Sequence, residues 1–140
     1  MYLLDTNVVS EIRKIQQGKA DTHLSAWVRQ IPANQMYISA ITLLELETGI
    51  MRIERKDAAQ GTTLRTWLEQ QVKPTFRGRI LPFDEYTSPI CATMHTPDPK
   101  PITDSLIAAT AKQHGLTVVT RNVKDFTETG VKIFNPFEAT

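Results

Sequence analysis

At 140 residues the chain has room for one hydrophobic core and is too short for two ordinary domains, so one domain over 1–140 is expected. Apolar residues at 41% beside 22% charged residues exclude a disordered chain, a collagen-like repeat and a disulfide scaffold. The net charge of +1 gives no global attraction to nucleic acid.

The first apolar run, Tyr2 to Leu4, reads as a strand, and Asp5 cuts it short. It is neither a secretory core nor a bilayer span, which takes about 20 residues, and no other segment is longer or cleaner. A cytoplasmic setting with no membrane contact is the expectation. Val8 to Ile15 and Leu24 to Ile31 read as helices, the second stopped by Pro32. Met36 to Ala40 is the next strand, followed by a helix from Thr42 to about Arg55 that carries Leu43, Leu46 and Ile50 on one face.

Leu64 to Val72 continues the helical layer with Trp67, Leu68 and Val72 inward, and Ile80 to Phe83 forms a third strand. After a helix over Glu85 to Met94, the stretch Thr96 to Pro101 holds three prolines in five residues and must be an extended loop. A helix from about Asp104 to His114 follows, with Gly115 placed to cap its C-terminus. Leu116 to Thr120 and Lys132 to Phe134 complete the strands. Strands alternating with helices specify βαβ units and a parallel sheet.

Ligands of such sheets bind beyond the carboxyl ends of the strands. Four acids fall at these strand-to-helix junctions, where random placement of solvated acids would not concentrate them. Asp5, with Thr6 and Asn7, is either a helix N-cap or a functional group, and three capping residues in a row exceed what one cap needs. Glu45 completes a capping box with Thr42, yet it also lies in the first turn after the second strand, at the same edge as Asp5. Glu47 points elsewhere on that helix and is expected to be solvated.

Asp104 opens its helix and is either a dipole-favoured first-turn acid or, if Thr103 does the capping, a carboxylate free to face the strand ends. Asp125 follows the strand LTVV, beside Thr120 and Asn122. Oxygen donors without cysteine or histidine companions suit Mg²⁺ or Mn²⁺ and argue against zinc. Divalent ions make such repelling carboxylates tolerable, and the cluster then suits in-line attack of water on a phosphodiester.

His23, His95 and His114 are scattered without metal-ligand spacing, and Cys91 sits in an apolar stretch as a buried, inert thiol. No P-loop, dinucleotide fingerprint or nucleophile elbow is present. Between Arg52 and Arg79 seven basic residues face three acidic ones, a local +4 against −3 for the rest of the chain. That flank suits either a phosphate backbone or a merely solvated helical face.

The motifs LLDTNVVSE, SAITLLELETGI and ITDSLIAATAKQHGLTVVTRNVKDF, in this order and at these positions, resemble the PIN-domain proteins of the VapC toxin family. GRILPFD and the terminal NPFE are similar to its FitB-like branch. The resemblance covers essentially the whole chain. It implies a three-layer α/β/α sandwich around a central parallel sheet, and a homodimeric Mg²⁺-dependent endoribonuclease that cuts RNA and is held by a VapB-like antitoxin in a type II toxin-antitoxin system. It places the metal-holding and catalytic acids at Asp5, Glu45, Asp104 and Asp125, with Thr6, Asn7, Thr120 and Asn122 as supporting polar groups. Some relatives carry an acid where this chain has Asn122, and others use the position of Asp125.

Two other readings compete. A receiver-type phosphoacceptor module would use Asp84, but it needs an acidic pair after the first strand and a lysine after the last, and this chain has neither. A catalytically silent PIN domain that binds RNA or antitoxin would be expected to have lost some of the acids.

Overall fold

In a computed structural model that describes residues 1–138, five strands form one all-parallel sheet. Residues 139 and 140 of the expected domain lie outside the described residues. The strands are β1 (Tyr2–Leu4), β2 (Met36–Ser39), β3 (Ile80–Leu81), β4 (Thr117–Val119) and β5 (Ile133–Phe134), in the spatial order β3-β2-β1-β4-β5. Tyr2 pairs with Met36 on one side and Thr117 on the other, and Val118 pairs with Ile133. The third strand is shorter than expected because Pro82 has no N–H to extend the ladder.

Strand alternation divides the core in two, since successive side chains point to opposite faces. Leu4 and Val119 enter a cluster with Val8, Leu24, Leu46, Ile50, Trp67 and Leu68 on one face. Leu3 and Val118 enter the other, with Met94, Ile107, Ala108 and Phe126. A sheet buried on both sides reads as continuous apolar runs, which is why YLL and TVV were legible as strands.

The first face is covered by α1 (Thr6–Ile12), α2 (Thr22–Gln30), α3 (Ala40–Lys56) and α4 (Ala58–Trp67). A π-helical turn, Leu68–Val72, and the short α5 (Lys73–Thr75) continue α4. The opposite face carries α6 (Thr87–Met94) and α7 (Ile102–His114). The sandwich is therefore α/β/α, as expected. Gly115 ends α7 in the left-handed conformation, at φ 67°.

Helix α4 begins six residues before the expected Leu64. Asp57 caps it, accepting from Gln60 N at 3.1 Å, while Thr62 and Thr63 turn their hydroxyls back onto the carbonyls of Ala58 and Ala59. These residues and Gly61 weaken the helical signal of the sequence. Gly61 is required by packing, because a Cβ there would sit 2.7 Å from the Glu54 Cα of α3. Glu47, expected to be solvated, is partly exposed and also ion-paired. It faces α4 and accepts from Arg65 at 2.7 Å, with Lys73 at 3.2 Å.

Candidate active site

The strand order reverses at β1, with β2 and β3 on one side and β4 and β5 on the other. The segments leaving β1 and β4 diverge there, and that crevice is where open parallel sheets bind ligands. Asp5 leaves β1 and Thr120 leaves β4, so one residue from each side of the switch point meets the other.

Asp5 is 5% exposed and fully engaged. Its Oδ1 accepts from the Thr6 N–H at 2.8 Å, and its Oδ2 accepts from Thr120 Oγ1 at 2.8 Å and Asn7 Nδ2 at 3.1 Å. The supporting groups are themselves fixed. The Arg121 N–H donates to Asn7 Oδ1 at 3.1 Å, and the Asn122 N–H to Thr120 Oγ1 at 3.0 Å. Burial pushes the Asp5 carboxyl above its ordinary value, the three hydrogen bonds oppose that, and the charge of Asp125 adds to it. Asp5 is also the N-cap residue of α1, so the capping reading of the sequence holds for this side chain.

The capping box expected at Thr42 and Glu45 does not form. Ser39 is the N-cap of α3, accepting from Ile41 N at 3.0 Å, which places Thr42 inside the first turn. Thr42 is instead fully buried with its hydroxyl 3.4 Å from that of Thr6. Thr6 Oγ1 donates to Glu45 Oε1 at 2.6 Å, tying the exposed Glu45 to the segment that carries Asp5. The sequence left Thr42 out of the site. The signal was its place three residues before Glu45, on the same face of a helix.

Thr103 does not cap α7 either. The cap position is held by Pro101 without a side-chain bond, and Asp104 lies in the first turn. Among the described residues its carboxylate receives no hydrogen bond. Burial, then the charges of Asp5, Asp125 and Glu45, push its pKa up to about 6. Asp125 closes a 3₁₀ turn, Val123–Asp125, and is exposed, but its charge reaches both Asp5 and Asp104. Asn122 contributes through its backbone to Thr120.

The four acids thus come from four separated segments and share one electrostatic neighbourhood. They do not close on one another, for among the described residues no three His, Cys, Asp or Glu side chains form a ready-made metal cage. Their chemistry fits a hard divalent cation, because the donors are all oxygen and the burial and repulsion that burden the Asp104 carboxylate are what a cation would offset. Asp84 stands apart, since its Oδ1 accepts from Tyr86 N at 2.9 Å and Thr87 Oγ1 at 3.1 Å at the start of α6. An apolar groove of about 340 Å³ between α1, α2 and the end of α4, lined by Val9, Ile12, Val28, Trp67 and Phe76, includes none of the four acids.

Residues 2–132 match the sequence profile of the PIN domain. The chain belongs to the PIN-domain family. It is 40% identical over 142 residues to Toxin FitB of Neisseria gonorrhoeae, covering 98% of this chain and 99% of that protein. It is 34% identical over 143 residues to VapC ribonuclease Y4jK of Sinorhizobium fredii, covering 99% of each. In three dimensions this PIN domain is similar to a chain in the crystal structure of FitAcB from Neisseria gonorrhoeae, with a TM-score of 0.89 and 38% identity over 99% of this chain and 100% of that one.

Proposed function

We propose that this PIN domain is a Mg²⁺-dependent endoribonuclease, the toxin subunit of a type II toxin-antitoxin pair, that hydrolyses RNA phosphodiester bonds. One observation carries the reading: four carboxylates from four chain segments converge electrostatically at the switch point, and the least satisfied of them, Asp104, is pushed up to about 6. The relatives named toxin and ribonuclease support the same activity. Chains of FitAB and VapBC complexes with the same fold support a cognate VapB-like antitoxin as partner.

Asp5, Glu45, Asp104 and Asp125 would hold the cation, with Mg²⁺ or Mn²⁺ suited to the oxygen set. When bound, it supplies a Lewis acid for the phosphoryl oxygens and a more acidic water. Asn7 and Thr120 lock the Asp5 carboxylate in one orientation, and Thr6 fixes one oxygen of Glu45. Among the described residues no donor reaches either oxygen of Asp104.

The protein is further proposed to act as a homodimer in the cytoplasm. Among the described residues no helix is long and apolar enough to cross a membrane. RNA binding is assigned to the exposed cations Arg52, Arg55, Lys56 and Arg77. The rest of the basic flank is committed elsewhere: Arg65 to Glu47 and Glu54, Lys73 to Glu47 and Glu69, and Arg79 to the carbonyls of Ala33, Met36 and Thr75.

The test is cleavage of RNA by the purified protein, with Mg²⁺ or with chelator, for the parent and Asp5→Asn. Cleavage confined to the parent with Mg²⁺ is expected. Cleavage in chelator, or full activity of Asp5→Asn, overturns the reading.

A further inference from the structure

Asp104 sits in a helix whose N-cap residue, Pro101, supplies no side-chain bond, and it follows a proline-rich loop. Something else must fix the direction in which this carboxylate points. The neighbouring Ser105 is fully buried, and its hydroxyl donates to the Ile102 carbonyl at 2.7 Å within the same turn. The same oxygen lies 2.7 Å from Nε2 of His95. His95 occupies the C-cap of α6, at the other end of the loop, and its Nδ1 accepts from the Lys100 N–H at 3.1 Å.

These contacts form a chain with one direction. The Lys100 N–H points at Nδ1, so that nitrogen is the acceptor and the ring proton resides on Nε2. Nε2–H then donates to Ser105, whose own proton is spent on Ile102. One imidazole therefore ties the end of α6, the loop and the first turn of α7 together. The base of the clamp is rigid, because Cys91 and Met94 of α6 pack in one cluster with Ile107 and Ala108 of α7.

We propose that His95 is a positioning residue for the active site: through Ser105 it holds the first turn of α7 in the orientation that presents Asp104 to the cation. The inference rests on the reading of Asp104 as a metal-holding acid. Groups hydrogen-bonded directly to metal ligands are worth about 10–100-fold in metal affinity or activity, and a clamp acting through the adjoining residue is expected at the lower end of that range.

Two substitutions split the clamp. His95→Gln keeps an N–H able to reach Ser105, whereas His95→Asn keeps an acceptor for Lys100 N–H and loses Ser105. The purified full-length variants are compared in Mg²⁺ affinity by calorimetry, in kcat and KM on RNA, and in hydrogen exchange of the Ser105 amide, which donates to Pro101 O in the first turn. In His95→Asn, Mg²⁺ affinity and kcat fall about 10-fold while KM for RNA stays unchanged, and the Ser105 amide exchanges faster. His95→Gln stays within about threefold of the parent. Equal behaviour of the two variants, or losses that follow only the unfolded fraction measured by circular dichroism, overturns the proposal. A parent that neither binds Mg²⁺ nor cleaves RNA overturns the nuclease reading instead. The clamp is then judged by exchange alone, and equal Ser105 exchange in the two variants overturns it.

Discussion

Replacing Asp104 by asparagine separates a strained functional carboxylate from a helix-start acid, and its sign can be worked out beforehand. The folded state binds the Asp104 proton more tightly than the unfolded chain, since the carboxyl rises from 3.8 to about 6. Its contribution to stability is therefore intact below about pH 4 and is lost as pH rises through about 6. That rise corresponds to about 3 kcal/mol, reduced to roughly 1–2 kcal/mol because solvent screens a half-buried group. Asparagine carries no charge and forfeits no hydrogen bond, for the carboxylate receives none among the described residues.

With an unfolding entropy of roughly 0.3 kcal/mol per degree for a chain of this size, Asp104→Asn should melt about 3–7 °C above the parent near pH 8 in chelator. Near pH 4 the gap should close. Saturating Mg²⁺ should reverse the order, because binding at about 100 times Kd stabilises the parent by roughly 2.7 kcal/mol and the variant far less. RNA cleavage by the variant should be absent. The assay is a thermal melt at two pH values with and without Mg²⁺. A variant that melts no higher than the parent near pH 8, or a gap equal at both pH values, refutes the reasoning.

Glu45→Gln should abolish Mg²⁺-dependent cleavage and shift stability by less than about 0.5 kcal/mol, whereas Ser39→Ala, which removes the true cap, should cost about 1 kcal/mol and leave cleavage largely intact. Cleavage by Glu45→Gln at the parental rate would take Glu45 out of the site. Changing Arg52, Arg55 and Lys56 together to alanine should weaken RNA binding and flatten its salt dependence, measured by fluorescence anisotropy, with a slope reduced by up to about 2. Unchanged affinity would make that face a solvated one. Gly61→Ala should lose roughly 1–3 kcal/mol in urea unfolding, because the new methyl meets the α3 backbone, and a neutral result would show that α3 and α4 can part at little cost. Asp84→Asn should leave cleavage unchanged, since its hydrogen bonds serve the start of α6, away from the four clustered acids.

The parallel sheet was legible because both of its faces are buried, which leaves uninterrupted apolar runs ending in polar residues. Asp5, Glu45, Asp104 and Asp125 were singled out by one rule, their place just after a strand or at the start of a helix, and the structure sets them in one electrostatic neighbourhood. Less was legible in α3, where the pattern T-L-L-E satisfied the capping-box spacing and drew Thr42 away from the site. Local spacing cannot see that Ser39, one turn earlier, caps first and that the Thr42 hydroxyl faces Thr6, 36 positions away. The same blindness hid the partners of Glu47, which arrive from a helix that glycine and threonine made faint. His95 gave no signal at all, because its meaning depends on Ser105 lying across a loop.

The contrast between the buried Asp5 and the half-buried Asp104 accounts for the build of the proposed site. Asp5 is the more buried, but three donors offset part of its desolvation and fix the carboxylate in place. Asp104 is less buried and has no donor among the described residues, so most of the unrelieved electrostatic cost falls on it. A divalent ion therefore stabilises Asp104 more than Asp5. In the proposed metal site Asp5 would then supply position and Asp104 the driving force for metal binding. A carboxylate that must keep both oxygens free cannot be oriented by hydrogen bonds to itself. Its backbone has to be held instead, and Ser105, next in the chain and gripped by His95, is the nearest residue able to do so.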